Sequence, residues 1–378
     1  MRQHGGSLRF KGLFRNALVV AASVLFVIGA VEGGARIVDS MSPGPARSWD
    51  QFRLRKPPAY QGAPYNVEKL IGESKRIKWK TSPEFGWLPE DQTGEYINIE
   101  NRQRRTVPRI EQPARRLWVF GGSTIMGVEV PDAFTIPSFL QRSLPDTEVN
   151  NLGATTVSAE HQLYRLETMT PIAPGDIVVF YDGVNDTILS LYYQNPHGTI
   201  VDVNRKTLES LPLREKLIWF IYSNLKDHSA FVRRFLDPTK PADYKPAISD
   251  ERLNEFEAHY LSILKKADAF ARSRSATFIH FLQPTIFTLD RQTDYERFLL
   301  TNGWLSPSNL QDAYAAGYPA IRRAMQKARA TGITAIDLSS ALNVRQREVF
   351  LDFCHLTEHG NEIVAREMLM SMKAFTSR

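Results

Sequence analysis

The sequence predicts an α/β protein: a doubly wound, three-layer α/β/α domain on a five-stranded parallel sheet, set behind an N-terminal transmembrane or signal segment. Three observations predict it. Beyond Arg116, short apolar runs bounded by turn residues alternate with longer amphipathic stretches, as in a parallel sheet covered on both faces. Polar residues gather just after those runs, where open α/β sheets bind their ligands. The first 31 residues place four cations and no acid around the start of an apolar run.

That run, ALVVAASVLFVIGAV at 17–31, follows Arg2, Arg9, Lys11 and Arg15 and precedes Glu32 and Arg36. As a helix, fifteen residues span about 22 Å, short of the roughly 30 Å hydrocarbon core. The length suits a short anchor whose flanking Arg15 and Arg36 reach the headgroups. It also suits a signal-peptide core with the small residues Gly33 and Ala35 at its cleavage end. In both readings the leading cations stay inside, so the body lies outside the cytoplasm. It is then membrane-anchored, and periplasmic in a Gram-negative cell, or secreted after cleavage. Residues 1–39 are accordingly assigned to the signal or anchor. Residues 40–114, with Pro43, Pro45, Pro57, Pro58, Pro64 and the charged runs KRIKWK and NRQRR, read as a tether and irregular arm.

Residues 115–378 form the expected domain. Its strands are placed at 117–120, 148–151, 177–181, 277–282 and 334–338 from their short apolar runs. Its helices are placed at 134–143, 160–168, 252–272, 311–331 and 358–375. A stretch at about 187–250, with Tyr192, Tyr193, Trp219, Phe220 and Tyr222, is too long for a plain connection and reads as an insertion or lid.

Composition narrows the function. With 43% hydrophobic and 11% aromatic residues the chain is neither disordered nor fibrous. The net charge of +6 resides largely in the tail, leaving 43 cations against 41 acids from residue 32 onward. The body therefore lacks the excess charge that nucleic-acid binding needs. The single cysteine, Cys354, precludes an internal disulfide and any cysteine-based metal cluster, while eight histidines leave His-based sites open.

Four strand-end motifs carry the chemistry. Ser123 follows Gly121 and Gly122 directly after the first strand, at a helix N-terminus that offers free N–H groups; the same serine also fits a simple N-cap. Gly153 ends the second strand in NNLG, and Asn185 follows the third in GVND. They are suited to an oxyanion hole, or to turns. Asp352 and His355, three apart in LDFCHLTEHGN, can put a carboxylate on a ring N–H and leave the other nitrogen as a base. A helix cap and a satisfied core histidine are the plainer alternatives.

Taken together and in this order, GGST, NNLG, GVND and DxxHLTxxGN resemble the SGNH (GDSL-type) hydrolases over roughly residues 115–375. The resemblance implies a flavodoxin-like sheet and a catalytic set of Ser123 as nucleophile, His355 as base and Asp352 as its partner. It further implies an oxyanion hole from Gly153 and Asn185 with the Ser123 N–H, and no cofactor or metal. One departure is visible: Gly122 stands where the family has an acid. The implied function is a serine esterase acting through an acyl-enzyme, with an acylated carbohydrate as leading substrate, such as an O-acetylated extracytoplasmic polysaccharide or cell-wall glycan. Other ester substrates are open. The alternatives are an O-acyltransferase using the same triad and a non-catalytic, membrane-anchored glycan-binding or assembly protein. Competing motifs are weaker. H-L-T-E-H at 355–359 matches an inverted zinc-peptidase pattern but has no evident third ligand. S-x-x-K occurs twice, from Ser223 and from Ser262, without its companion motifs. Cys354 reads as a small apolar filler.

Overall fold

The computed structural model describes residues 6–41, 49–82, 84–197, 208–225, 229–235, 245–302 and 309–376. The chain divides into two compact units, Met1–Ala46 with Thr207–Ala242, and Arg47–Lys206 with Asp243–Arg378. Helix α1 (Gly6–Met41) opens the smaller one. The larger begins with α2 (Trp49–Leu54), α3 (Val67–Ser74) and two antiparallel pairs, β1 (Trp79–Ser82) with β2 (Gly86–Pro89) and β3 (Ile99–Glu100) with β4 (Gln103–Arg104). It continues through β5 (Arg115–Gly121), α4 (Ser123–Met126), α5 (Ile136–Ser143), β6 (Thr147–Gly153), α6 (Ala159–Met169), β7 (Ile177–Asp182) and α7 (Val184–Thr187). After α8 (Leu213–Leu225) and α9 (Ala230–Phe235) of the smaller unit come α10 (Asp250–Ser273), β8 (Thr277–Leu282), α11 (Asp294–Thr301), α12 (Leu310–Arg329), β9 (Thr334–Asp337) and α13 (Glu358–Thr376).

The sheet runs β3-β4-β6-β5-β7-β8-β9. The five expected strands pair in parallel, but the sheet is mixed and seven-stranded, because the β3–β4 hairpin adds an antiparallel edge through Arg104 opposite Asn151. Residues 40–114 are thus not merely a tether and irregular arm: from Arg47 they belong to the larger unit and extend its sheet. Strands of two residues, Ile99–Glu100 and Gln103–Arg104, are too short to show a hydrophobic alternation by which sequence could reveal them.

Among the parallel strands the spatial order is second, first, third, fourth, fifth, so the winding reverses between β5 and β7. The crevice beyond their carboxyl ends is where such a sheet takes a ligand. Side chains alternate between the faces. Trp118, Phe120, Val178, Phe180 and Phe278 form one core with Leu166 of α6, Tyr260 and Leu264 of α10 and Ile321 and Met325 of α12. Phe180 meets Phe120 and Phe278 edge-on at centroid distances of 5.3 and 5.1 Å. All six residues of β7 are buried, so both faces of the sheet are covered there.

In the smaller unit α1 is 36 residues long, about 54 Å, and Val19, Leu25, Phe26 and Ile28 stand exposed along it. Its Glu32 carboxylate accepts hydrogen bonds from the Ala230 and Phe231 N–H groups (2.9 and 3.1 Å) and the Ser229 hydroxyl (2.7 Å), capping α9. Helix α8 buries none of its residues and exposes Leu213, Leu217, Trp219 and Phe220. The insertion expected at about 187–250 is thus partly helical; its residues 198–207, 226–228 and 236–244 lie outside the described ones. Among the described residues no helix is long and apolar enough to cross a membrane. Arg2 and the side chains of Arg9, Lys11, Arg15, Ala17, Leu18 and Ala21 lie outside them.

Candidate active site

The strand ends bring most of the expected residues together. Register aligns Gly121 with Gly153 on one side and Tyr181 on the other. The chain then turns through Gly122 into α4, a single turn ended by Gly127 in the left-handed region. This turn sits hard against its neighbours: a Cβ on Gly121 would come within 2.3 Å of the Ile125 side chain, and one on Gly153 within 2.1 Å of the Met126 nitrogen. Glycine at both positions lets α4 present Ser123 at its first residue, where the backbone N–H has no intrahelical acceptor.

Ser123 Oγ lies 2.7 Å from His355 Nε2, and His355 Nδ1 lies 2.6 Å from Asp352 Oδ2. The other Asp352 oxygen accepts from the backbone N–H groups of Cys354 (2.8 Å) and His355 (2.7 Å). The segment carrying the pair is closed by Leu351 N–H on His355 O and Thr357 N–H on Val349 O, both 2.9 Å. Burial opposes ionisation of Asp352, but the imidazole beside it and the two N–H groups hold its carboxyl below the usual range. Burial likewise opposes protonation of His355. The negative potential of Asp352, with lesser contributions from Cys354 and Glu129, outweighs it and raises the imidazole pKa well above the usual histidine value. Ser123, His355 and Asp352 thus form one continuous hydrogen-bond relay, the geometry that a nucleophile, its base and an orienting carboxylate require.

Asn185 is also in place. Its Nδ2 donates to Val157 O at 2.8 Å, and a Cβ on Gly122 would come within 2.8 Å of that nitrogen. The amide therefore lies beside the residue preceding Ser123, with its second N–H uncommitted by the Val157 bond. The missing acid at Gly122 has a local counterpart here, since any side chain at 122 would crowd the Asn185 amide. GVND folds as it does because Gly183, at φ 108°, opens α7 and Asp186 reaches back to its N–H (3.1 Å) while also holding Ala159 N–H (2.9 Å). Burial, reinforced by the nearby Asp182 charge, pushes the Asp186 carboxyl up to about 7.

Gly153 departs from expectation. Its N–H donates to Asn151 Oδ1 at 2.9 Å, and the residue lies in close approach to α4. Asn151 Nδ2 in turn donates to Ile125 O at 2.8 Å.

Two features had no motif to announce them. Glu129, with a side chain 3% exposed, places a carboxylate oxygen 3.8 Å from His355 Nε2. The loop carrying it is braced from the N-terminal arm. Arg104, paired with Asp132, donates to Met126 O, Gly127 O and Val130 O at 3.3, 3.1 and 2.9 Å, Arg53 donates to Val128 O at 3.2 Å, and Tyr60 donates to Glu129 O at 2.9 Å.

The rival motifs do not assemble. Both His355 nitrogens are committed within the triad, and His359 faces Glu362 at 3.7 Å. Cys354 is buried, which raises its thiol to about 12 and leaves it inert as a nucleophile. Ser223 donates to Trp219 O, and Lys226 lies outside the described residues.

No protein-family model matches the chain, and no curated protein matches it in sequence. Among solved structures it is similar to a member of the lipolytic G-D-S-L family from Veillonella parvula, at 15% identity over 68% of this chain and 97% of that one, with a TM-score of 0.40. It is similar also to an acetylxylan esterase from Geobacillus stearothermophilus, at 14% identity over 69% of this chain and 95% of that one, with a TM-score of 0.37.

Proposed function

We propose that this protein is a serine esterase working through an acyl-enzyme. The observation that carries the reading is the unbroken hydrogen-bond relay from Ser123 Oγ through His355 to Asp352. His355 Nε2 takes the Ser123 proton as Oγ attacks the ester carbonyl. Charge develops on the carbonyl oxygen next to the Ser123 N–H and the Asn185 amide. His355 then returns the proton to the leaving alcohol. A water, deprotonated by the same imidazole, cleaves the acyl-serine and releases the acid. Burying Asp352 next to His355 stabilises the imidazolium formed in each step.

The substrate we assign is an O-acetyl ester on an extracytoplasmic polysaccharide or cell-wall glycan. The four-motif resemblance supports the ester chemistry. The cationic, apolar N-terminus supports an address outside the cytoplasm, with α1 as the membrane tether. A fluorophosphonate probe should label the wild-type chain covalently and leave Ser123→Ala unlabelled. Full labelling of the variant would place the nucleophile elsewhere. A reporter fused after residue 45 should register outside the inner membrane, and a cytoplasmic signal would end the export reading.

A further inference from the structure

Away from the triad, three elements of the larger unit bring together side chains that the esterase reaction does not use. Glu160 lies in the first turn of α6, His197 in the turn that follows the chain beyond α7, and His259 in the middle of α10. Glu160 Oε2 is 3.1 Å from His197 Nδ1 and 3.3 Å from His259 Nε2. One ligand atom from each residue lies within 4.8 Å of the other two. The imidazole rings stand perpendicular with centroids 4.7 Å apart.

The two spacings from Glu160 fit the edges of a coordination polyhedron. Ligands about 2.0–2.1 Å from a tetrahedral ion are separated by about 3.4 Å, close to the two distances centred on Glu160. The residues are far apart in sequence, so the convergence is not the local pairing of neighbours on one helix. Beside them is a cavity of about 340 Å³ lined by Ser190, Pro196, Phe256 and Glu255, the last one helical turn before His259. Arg252 also lines it, but its guanidinium is engaged by Glu255 at 3.0 Å.

We propose that Glu160, His197 and His259 form a zinc site. Two imidazole nitrogens and one carboxylate oxygen make a borderline donor set, which suits Zn²⁺ and disfavours Mg²⁺ and Ca²⁺, whose preference is for oxygen alone. Water completes the coordination, since the His197 side is open to solvent. The ion takes no part in ester cleavage. It fastens the His197 turn, shortly before the chain leaves the larger unit, to α6 and α10. It also stiffens the α6 start, where Ala159 N–H holds Asp186 of GVND.

The untagged full chain, stripped with a chelator and dialysed against Zn²⁺, should retain one ion per chain by elemental analysis. Its Co²⁺ form should show the intense visible absorption of a tetrahedral site. His259→Ala and Glu160→Gln should each weaken Zn²⁺ binding about 10-fold or more, since losing a ligand costs at least what losing a ligand's support does, and should abolish the Zn²⁺-induced rise in Tm. His359→Ala, outside the cluster, should bind as wild type. Fluorophosphonate labelling of Ser123 reports independently that each variant is folded. If the folded wild type takes up no Zn²⁺, or if both variants bind it unchanged, the cluster is an ion pair only and the proposal falls. A His259→Ala chain that fails to fold leaves Glu160→Gln and the wild-type stoichiometry to decide.

Discussion

At the scale of single residues, the strand-end side chains divide by whether they act on the reacting atoms or on one another. Asn185→Ala should leave the fold intact and lower kcat about 10²–10³-fold, or about 2.7–4 kcal/mol, the scale of one oxyanion donor; an unchanged kcat would make the amide a prop for Val157 O. Because Asp352 and Glu129 raise the His355 pKa, the limb on which activity rises with pH should lie above the ordinary histidine range, since only the neutral imidazole accepts the Ser123 proton. Removing one of the negative charges that raise it should move the limb the other way. In Glu129→Gln the rise in kcat/KM should shift to lower pH, and a pH–rate profile overlaying wild type would show that Glu129 does not reach the base. That Ser123, Asn185, Asp352 and His355 come together was legible because each stands in a strand-end motif whose spacing determines what it can meet. The bond of the Gly153 N–H to Asn151 was not legible, because it depends on a side-chain rotamer two residues back. Glu129 was invisible because its partner is 226 positions away and no periodicity marks it.

At the scale of elements, the short hairpin β3–β4 matters more than its four residues suggest. Through Arg104 it supplies donors to three carbonyls at the end of α4 and an ion pair to Asp132, with the Arg104 side chain wholly buried. Arg104→Ala removes the countercharge of Asp132 and leaves it only the Asn98 hydrogen bonds, and should destabilise the chain by about 3–5 kcal/mol, read from the denaturation midpoint. A loss below about 1 kcal/mol would mean that the loop after α4 holds itself. The five parallel strands were legible because each is a short apolar run between turns. The arm was not: its order comes from guanidinium and carboxylate contacts to distant backbone and from scattered apolar residues such as Leu70, Ile77, Ile97 and Ile99, which pack together without any sustained period in the sequence.

For the whole molecule, the sheet order explains why the triad is complete within one unit. Ser123 follows β5, Asn185 follows β7, and the Asp352–His355 turn follows β9, all at carboxyl ends of a single sheet. The smaller unit contributes none of them. A chain begun at Arg47, with residues 207–242 replaced by a flexible Gly-Ser linker, should therefore fold and still label at Ser123 with a fluorophosphonate. Loss of labelling in a chain with wild-type circular dichroism would show that the smaller unit helps form the site. The alternation of strands and helices made this architecture readable in outline. That the N-terminal helix and the insertion form one unit was not readable, because a contact such as the Glu32 carboxylate capping a helix 197 residues further on leaves no local pattern in the sequence.

That capping contact has a consequence in time. A ribosome adding about 5–20 residues per second needs about 10–40 s to travel from Glu32 to Ser229. Through that interval α1 exists without the helix it caps, its apolar side chains in need of lipid or a chaperone. The larger unit waits too, since β8 and β9 are made only after the insertion has emerged. Neither unit can be finished before the other has begun, so synthesis interleaves them.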